Sequence, residues 1–387
     1  MSRRLPFVLT LLLGSVLTAT WGPFTVLAQP GDPAALGVKA PAVRRVPILA
    51  WHSLPEDQLT PERFRELADM GITHSLMHYS PAGNARALDL AAAVGVKLFV
   101  SDARLAAPGE PLVDAVKSLR SHPALAGYSL RDEPSAADFA TLAAAREAIE
   151  AVDPDQWSYV NLFPTYASPA QLGTPTYPIH LRRFLLQFRP RVLSFDHYPV
   201  LEGDRLRPDY YQNLEWIRQG ALEAGVPFWA FALTCPHRPY PMPTAGHLRL
   251  QVWSNIAYGA TGVQYFTYWT PEAGTWDFHD APLRRDGSRS PTYALLQALS
   301  REVQSCTAGV LEERTVGVFH TEPRPAGTQG LDESCPLAQV TGGEALISVR
   351  QSTQGERRLL VVHRSLTRPA TLMLTPQPWV RRLEIDR

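Results

Sequence analysis

The stretch Gly127-Tyr-Ser-Leu-Arg-Asp-Glu-Pro134 decides the fold of this chain. A short apolar run ends in two adjacent acids, a proline follows, and Ser135 is placed to cap a helix. That order presents a carboxylate at the C-terminal end of a parallel strand, where barrel enzymes carry their reactive groups. Similar strand ends recur at Val160-Asn-Leu-Phe-Pro164, Phe195-Asp-His-Tyr-Pro199 and Tyr265-Phe-Thr-Tyr-Trp-Thr-Pro-Glu272.

Outward from this stretch a regular beat appears. Apolar runs at 46–51, 73–79, 96–101, 125–130, 158–162, 192–195, 227–233 and 262–268 alternate with helical patterns. They start about 23 to 35 residues apart, the spacing of strand, loop, helix and loop. Thr60-Pro61 and Ser135-Ala-Ala-Asp138 read as helix starts, and Gly71, Gly95 and Gly225 as helix stops. Strands apolar on both faces fit a parallel sheet covered by helices, and the alternation predicts an α/β fold, a (β/α)8 TIM barrel. A doubly wound sheet would need a glycine-rich first turn, and Trp51-His-Ser-Leu-Pro55 has none. After about residue 309 short strand candidates replace helices, predicting a small C-terminal β domain over 309–387 beyond a barrel at 45–308.

Charge excludes several partners. The chain has 37 basic and 37 acidic residues, which argues against nucleic acid or anionic lipid as partner. Residues 1–28 read as a secretory signal: Arg3 and Arg4, an apolar run from Leu5 to Thr20, and small residues before a cut ahead of Gln29. Residues 29–44 read as a linker, so the mature protein is expected to be secreted or periplasmic, with no membrane contact after cleavage. In that compartment Cys306 and Cys335 are candidates for a disulfide, and Cys235 is left over as a semi-buried thiol.

The barrel rule turns strand ends into candidate site residues. Glycoside hydrolysis needs a proton donor and a second carboxylate, and the acids, amides and aromatics on this rim suit it. Glu133 is the proposed donor. Asp132 is read as holding Arg131 or the loop, or as touching substrate. Asp196 is the first candidate for the second carboxylate, and Glu272 the next. Asp102 is a substrate-binding candidate that equally suits an ion pair with Arg104. Ends of strands four and six lie roughly 10 Å apart before side chains lean inward, so either stereochemical course is open. Trp51, Tyr79, Tyr198, Tyr268 and Trp269 offer faces for sugar rings, and His52, Asn161 and His197 offer hydrogen bonds. Trp229 and Phe231 are assigned to the core. No His-Glu-x-x-His or Gly-x-Ser-x-Gly motif is present; neither a metal nor a cofactor is expected.

Through the acid-proline corner and the aromatic eighth strand, residues 45–305 resemble the clan A glycoside hydrolase barrels, more narrowly the secreted bacterial β-galactosidase-like and agarase-like members. The resemblance implies a retaining β-glycosidase with the strand-four glutamate, here Glu133, as acid/base. Two departures stand out. The usual strand-four Asn-Glu pair is Asp132-Glu133, and the usual strand-seven glutamate is missing from Pro227-Phe-Trp-Ala-Phe-Ala-Leu-Thr234. The expected partner is a poly- or oligosaccharide. A non-catalytic glycan-binding barrel and a metal-dependent deacetylase are the alternatives.

Overall fold

A computed structural model describes residues 7–11, 45–306, 313–380 and 383–386. Eight parallel strands close into a barrel. In chain order they are Ile48–Trp51, His74–His78, Lys97–Ser101, Leu125–Asp132, Trp157–Leu162, Leu193–Phe195, Phe228–Leu233 and Gly262–Phe266, called here the first to eighth barrel strands. Each predicted strand is present; most are shorter at their ends, while the fourth runs two residues further, to Asp132, and the fifth starts one residue earlier, at Trp157.

Helices between the strands cover the outside. Pro61–Asp69 starts where Thr60 accepts a hydrogen bond from the Arg63 amide, and Pro81–Val94 ends at Gly95 in a left-handed turn. The start expected at Ser135 is displaced. The helix runs Phe139–Glu150, Ser135 donates its amide to the Asp138 carboxylate, and Ala136 bonds Leu172 across the next loop. Residues 136–138 form a turn ahead of the helix instead.

Side chains alternate along each strand, so the barrel has its own interior. Leu49, Leu76, Phe99, Tyr159, Trp229, Phe231 and Leu233 point inward and fill it. His74 sits among the rings of Phe99 and Trp229, and burial lowers its pKa to about 4. Outward-facing neighbours such as Ile48, Ala50, Val100 and Val160 join the larger core beneath the helices. A two-stranded hairpin, Val200–Leu201 with Arg205–Leu206, was not legible in the sequence.

In the C-terminal region, Arg314–His320, Ala345–Gln351 and Arg357–His363 form an antiparallel sheet, and Leu337–Thr341 pairs with Met373–Pro376. One face packs on the barrel helix Ala245–Tyr258 through Val318, Leu346, Leu360 and Val362. The Tyr258 hydroxyl and His320 Nε2 share a hydrogen bond at 2.8 Å, and Arg350 donates to the Ile256 carbonyl at 3.0 Å. Cys335 is a buried free thiol in this small core, so the proposed bond to Cys306 is not made. Phe7–Leu11, inside the stretch read as a signal, lies as a parallel strand between Arg357–His363 and Leu383–Asp386. The rest of that stretch and the linker lie outside the described residues.

Candidate active site

The site is set by an irregularity in the fourth barrel strand. Ser129 faces Tyr159, Arg131 faces Val160 and Asp132 faces Asn161, which leaves Leu130 as an extra residue. Such a bulge reverses which side chains point inward beyond it. Asp132 therefore comes level with Asn161 at the barrel mouth; in an unbroken ladder Arg131 would be there. The next residue, Glu133, adopts a left-handed backbone at φ 45° and donates its amide to the Asn161 carbonyl at 2.9 Å. A non-glycine residue in this region is uncommon, and such strain gathers at functional sites.

Asn161 joins the acids. Its amide nitrogen donates to Asp132 Oδ1 at 3.0 Å and to Asp196 Oδ1 at 2.9 Å, while its oxygen accepts from Ser194 at 2.9 Å. Ser194 accepts from Gln264 at 2.8 Å and lies 2.7 Å from the Tyr159 hydroxyl, which also reaches Gln264. The second, fixed end of this network is the barrel interior, so the orientation of the Asn161 amide is determined rather than assigned by choice.

Asp196, at the end of the sixth strand, is buried to within 7% of full exclusion and lies in hydrogen-bonding range of Glu133. Burial, then the charge of Asp132, raises the Glu133 pKa to about 7, and the bond to Asp196 draws it partly back. Burial and the Glu133 and Asp132 charges hold the Asp196 carboxyl well above the usual range, against the Asn161 bond. Burial raises Asp132 as well, although its side chain opens onto the cavity: a concave wall gives it contact with water but poor solvation. Burial and the charges of the neighbouring acids thus favour the protonated form of both Glu133 and Asp196.

These acids line one side of a cavity of about 370 Å³. Trp51, Phe231 and Tyr198 form its floor with Phe266, and the loops add Phe163, Tyr166, Tyr240, Trp276 and Phe278. Trp51, Asp132, Glu133, Asn161, Asp196 and Tyr198 are thus the sequence-derived candidates that the fold brings together. Phe231 proves to be both core and cavity wall. His237 was not anticipated. Its Nδ1 lies 3.0 Å from the Cys235 carbonyl, and its ring packs against Tyr240 and Phe278. Tyr166, Gln171, Tyr240, Trp276 and Phe278 were missed too. The one available signal was aromatic residues in long loops, such as Trp276, which is 53% exposed.

The remaining candidates are elsewhere. Glu272 is exposed and outside the cavity lining, because its loop turns outward after Thr270 bonds Leu283. Asp102 is spent on a two-pronged bond to Arg104, at 2.7 and 3.0 Å. Tyr79 donates to the Leu54 carbonyl at 2.7 Å within the outer core. Tyr268 is fully buried there, and Trp269 lies beneath the Arg63 guanidinium. His197 supports Tyr166 from behind and bonds Asn213 at 3.0 Å. His52 does not line the cavity; burial and nearby His78 lower its pKa to about 4. Cys235 is buried, and its thiol is pushed up to about 12, so it is no ready nucleophile. Among the described residues no group of three or more His, Cys, Asp or Glu side chains is arranged to hold a metal ion. The seventh strand, wholly buried, carries no acid.

Together the fold and the acids at its C-terminal mouth define a closed (β/α)8 barrel with a carboxylate-lined cavity. Within it, residues 135–306 match the family model Glyco_hydro_42, described as Beta-galactosidase. The match covers less than half of the chain and begins just after Glu133. The structure is similar to the β-galactosidase from Bacillus circulans sp. alkalophilus at 11% identity and a TM-score of 0.56, over 71% of this chain and 58% of that one. It is similar to the cold-adapted β-galactosidase from Rahnella sp. R3 at 12% identity and a TM-score of 0.55, over 71% and 58%. For the β-galactosidase from the psychrophilic Marinomonas ef1 the values are 12% and 0.51, over 68% and 60%. The chain therefore spans 60% or less of the length of these relatives. No curated protein matches the sequence.

Proposed function

We propose that this chain is an exported glycoside hydrolase acting on poly- or oligosaccharides, with Glu133 as acid/base and Asp196 as the second carboxylate. One observation carries the reading: two carboxyls in hydrogen-bonding range, both raised in pKa, beside an aromatic cavity. An acid that keeps its proton near neutral pH can protonate a leaving oxygen. Glu133 gives its proton to the bridging oxygen as the anomeric C–O bond breaks, and the Asp196 carboxylate bonds the anomeric carbon. Water, deprotonated by Glu133, then displaces Asp196. The adjacency of the two carboxyls favours nucleophilic attack and retention over a course that needs a water held between them. Asp196 takes the role left vacant by the acid-free seventh strand.

The family match supports β-galactosides as first substrates to try, and the aromatic wall supports pieces of plant, algal or microbial polysaccharide. Glu133→Gln is expected to remove all hydrolysis of aryl glycosides while keeping the circular dichroism of the wild type; wild-type rates in that variant would refute the assignment. The missing strand-seven acid favours one rival, a barrel that binds glycans without cutting them. A glycan panel showing wild-type binding with no reducing-end release would select it. For export, residues 1–28 are removed, taking the Phe7–Leu11 strand with them. N-terminal sequencing of secreted protein should begin at Gln29.

A further inference from the structure

The same cavity is unusually short of positive charge. Asp132, Glu133 and Asp196 face it, and among the described residues that line it there is no Arg or Lys. Arg207, in the surrounding loops, stacks on the Tyr166 ring at 4.1 Å and donates to the Tyr198 carbonyl and the Tyr240 hydroxyl. It is held within the aromatic shell rather than in the lining. His78 lies near Asp132 but bonds Ser101 and is not part of the lining. Two carboxyls suffice for hydrolysis. The third, Asp132, uses one oxygen on Asn161, and no protein partner for the other occurs among the described residues.

A separate observation comes from the opposite wall. His237 is only 6% exposed and lines the cavity. A carbonyl only accepts, so His237 Nδ1 carries the proton it gives to Cys235, and Nε2 presents a lone pair. No protein group meets that lone pair among the described residues, and burial lowers the pKa of the ring, which stays neutral. An acceptor on the cavity wall without a protein donor is free to meet one from a ligand.

We propose that the sugar bound in this cavity carries a free amino group, held as an ammonium by Asp132, with a further donor of the same sugar meeting His237 Nε2. The proposal rests on the reading of this cavity as the sugar site. It excludes uronates and sulfated sugars, whose charge would meet three acids with no cation in the lining. It also gives the extra acid a purpose. An ammonium offsets the part of the upward shift that comes, after burial, from the carboxyls' mutual repulsion, so binding releases a fraction of a proton near neutral pH.

The test uses Glu133→Gln protein and calorimetry at pH 7, so that binding is read apart from turnover. Galactosamine, N-acetylgalactosamine and galactose are compared, with chitosan, chitin and cellulose oligosaccharides as the glucose-type series. The free amines should bind about tenfold or more tightly than their neutral counterparts, the size of one charge-assisted hydrogen bond. That preference should shrink with salt and disappear in the Glu133→Gln/Asp132→Asn double variant. With wild type, amine binding should release protons, read as a dependence of the heat on the buffer. Equal or tighter binding of neutral or acetylated sugars overturns the proposal, as does an amine preference that survives loss of Asp132. If the double variant fails to fold, salt and buffer dependence in the intact site decide. Failure of the hydrolase reading is distinct: amines would still bind, with no glycoside cleaved by wild type.

Discussion

Asp132 shows how far a residue's role departs from its sequence neighbourhood. Read in the chain, it suits a loop acid beside Arg131. In the fold it is bonded to Asn161 and its charge helps to raise Glu133. Asp132→Asn removes that repulsion, so Glu133 should fall toward the ordinary carboxylate range. In the proposed mechanism the alkaline limb of kcat/KM follows loss of the Glu133 proton, and it should move to lower pH. A pH–rate profile checks this, and an unmoved limb would show that Asp132 does not act on the acid. Glu133, Asp196 and Asn161 were legible because strand-end acids and amides have a fixed place in a barrel. His237 and Tyr166 were not, since loop residues follow no period and their aim depends on the path of the loop.

At the scale of elements, the bulge at Leu130 and the polar chain through the barrel prepare the site. The bulge is invisible in one strand, because register is a property of two. The polar chain is equally hidden: Gln264, Tyr159 and Ser194 come from three strands, and only the closed barrel stacks them under Asn161. Tyr159 is wholly buried, so removing its hydroxyl leaves Gln264 Oε1 unmatched at no gain in space. Tyr159→Phe should lose about 1–3 kcal/mol of stability in urea denaturation, the cost of an unsatisfied buried polar group. A change within about 0.5 kcal/mol, the range of an ordinary surface substitution, would mean that the chain of bonds holds nothing in place.

The whole molecule couples the barrel to the C-terminal sheet through a histidine that must stay neutral. Burial lowers His320 from 6.5 to about 3, and its Nε2 shares a hydrogen bond with Tyr258 on the barrel side. A pKa lowered by folding stabilises above 6.5, and that contribution is lost as pH falls from there toward 3. The Glu133 carboxyl acts in the opposite sense: raised from 4.5 to about 7, it favours the fold most below 4.5 and loses that benefit as pH rises through 7. His320→Gln keeps a hydrogen-bonding group for Tyr258 but cannot charge. Its Tm should fall less than that of wild type between pH 7 and pH 5, measured by calorimetry, and parallel curves would rule out this coupling. The order of strands, the barrel and the rim acids were dictated by the sequence, because apolar period and turn residues are local properties that each segment carries alone. Which acids meet, which face Asp132 takes and what encloses the cavity were decided only by the tertiary structure. Pairing register, loop paths and desolvation arise between segments distant in the chain, and no single segment encodes them.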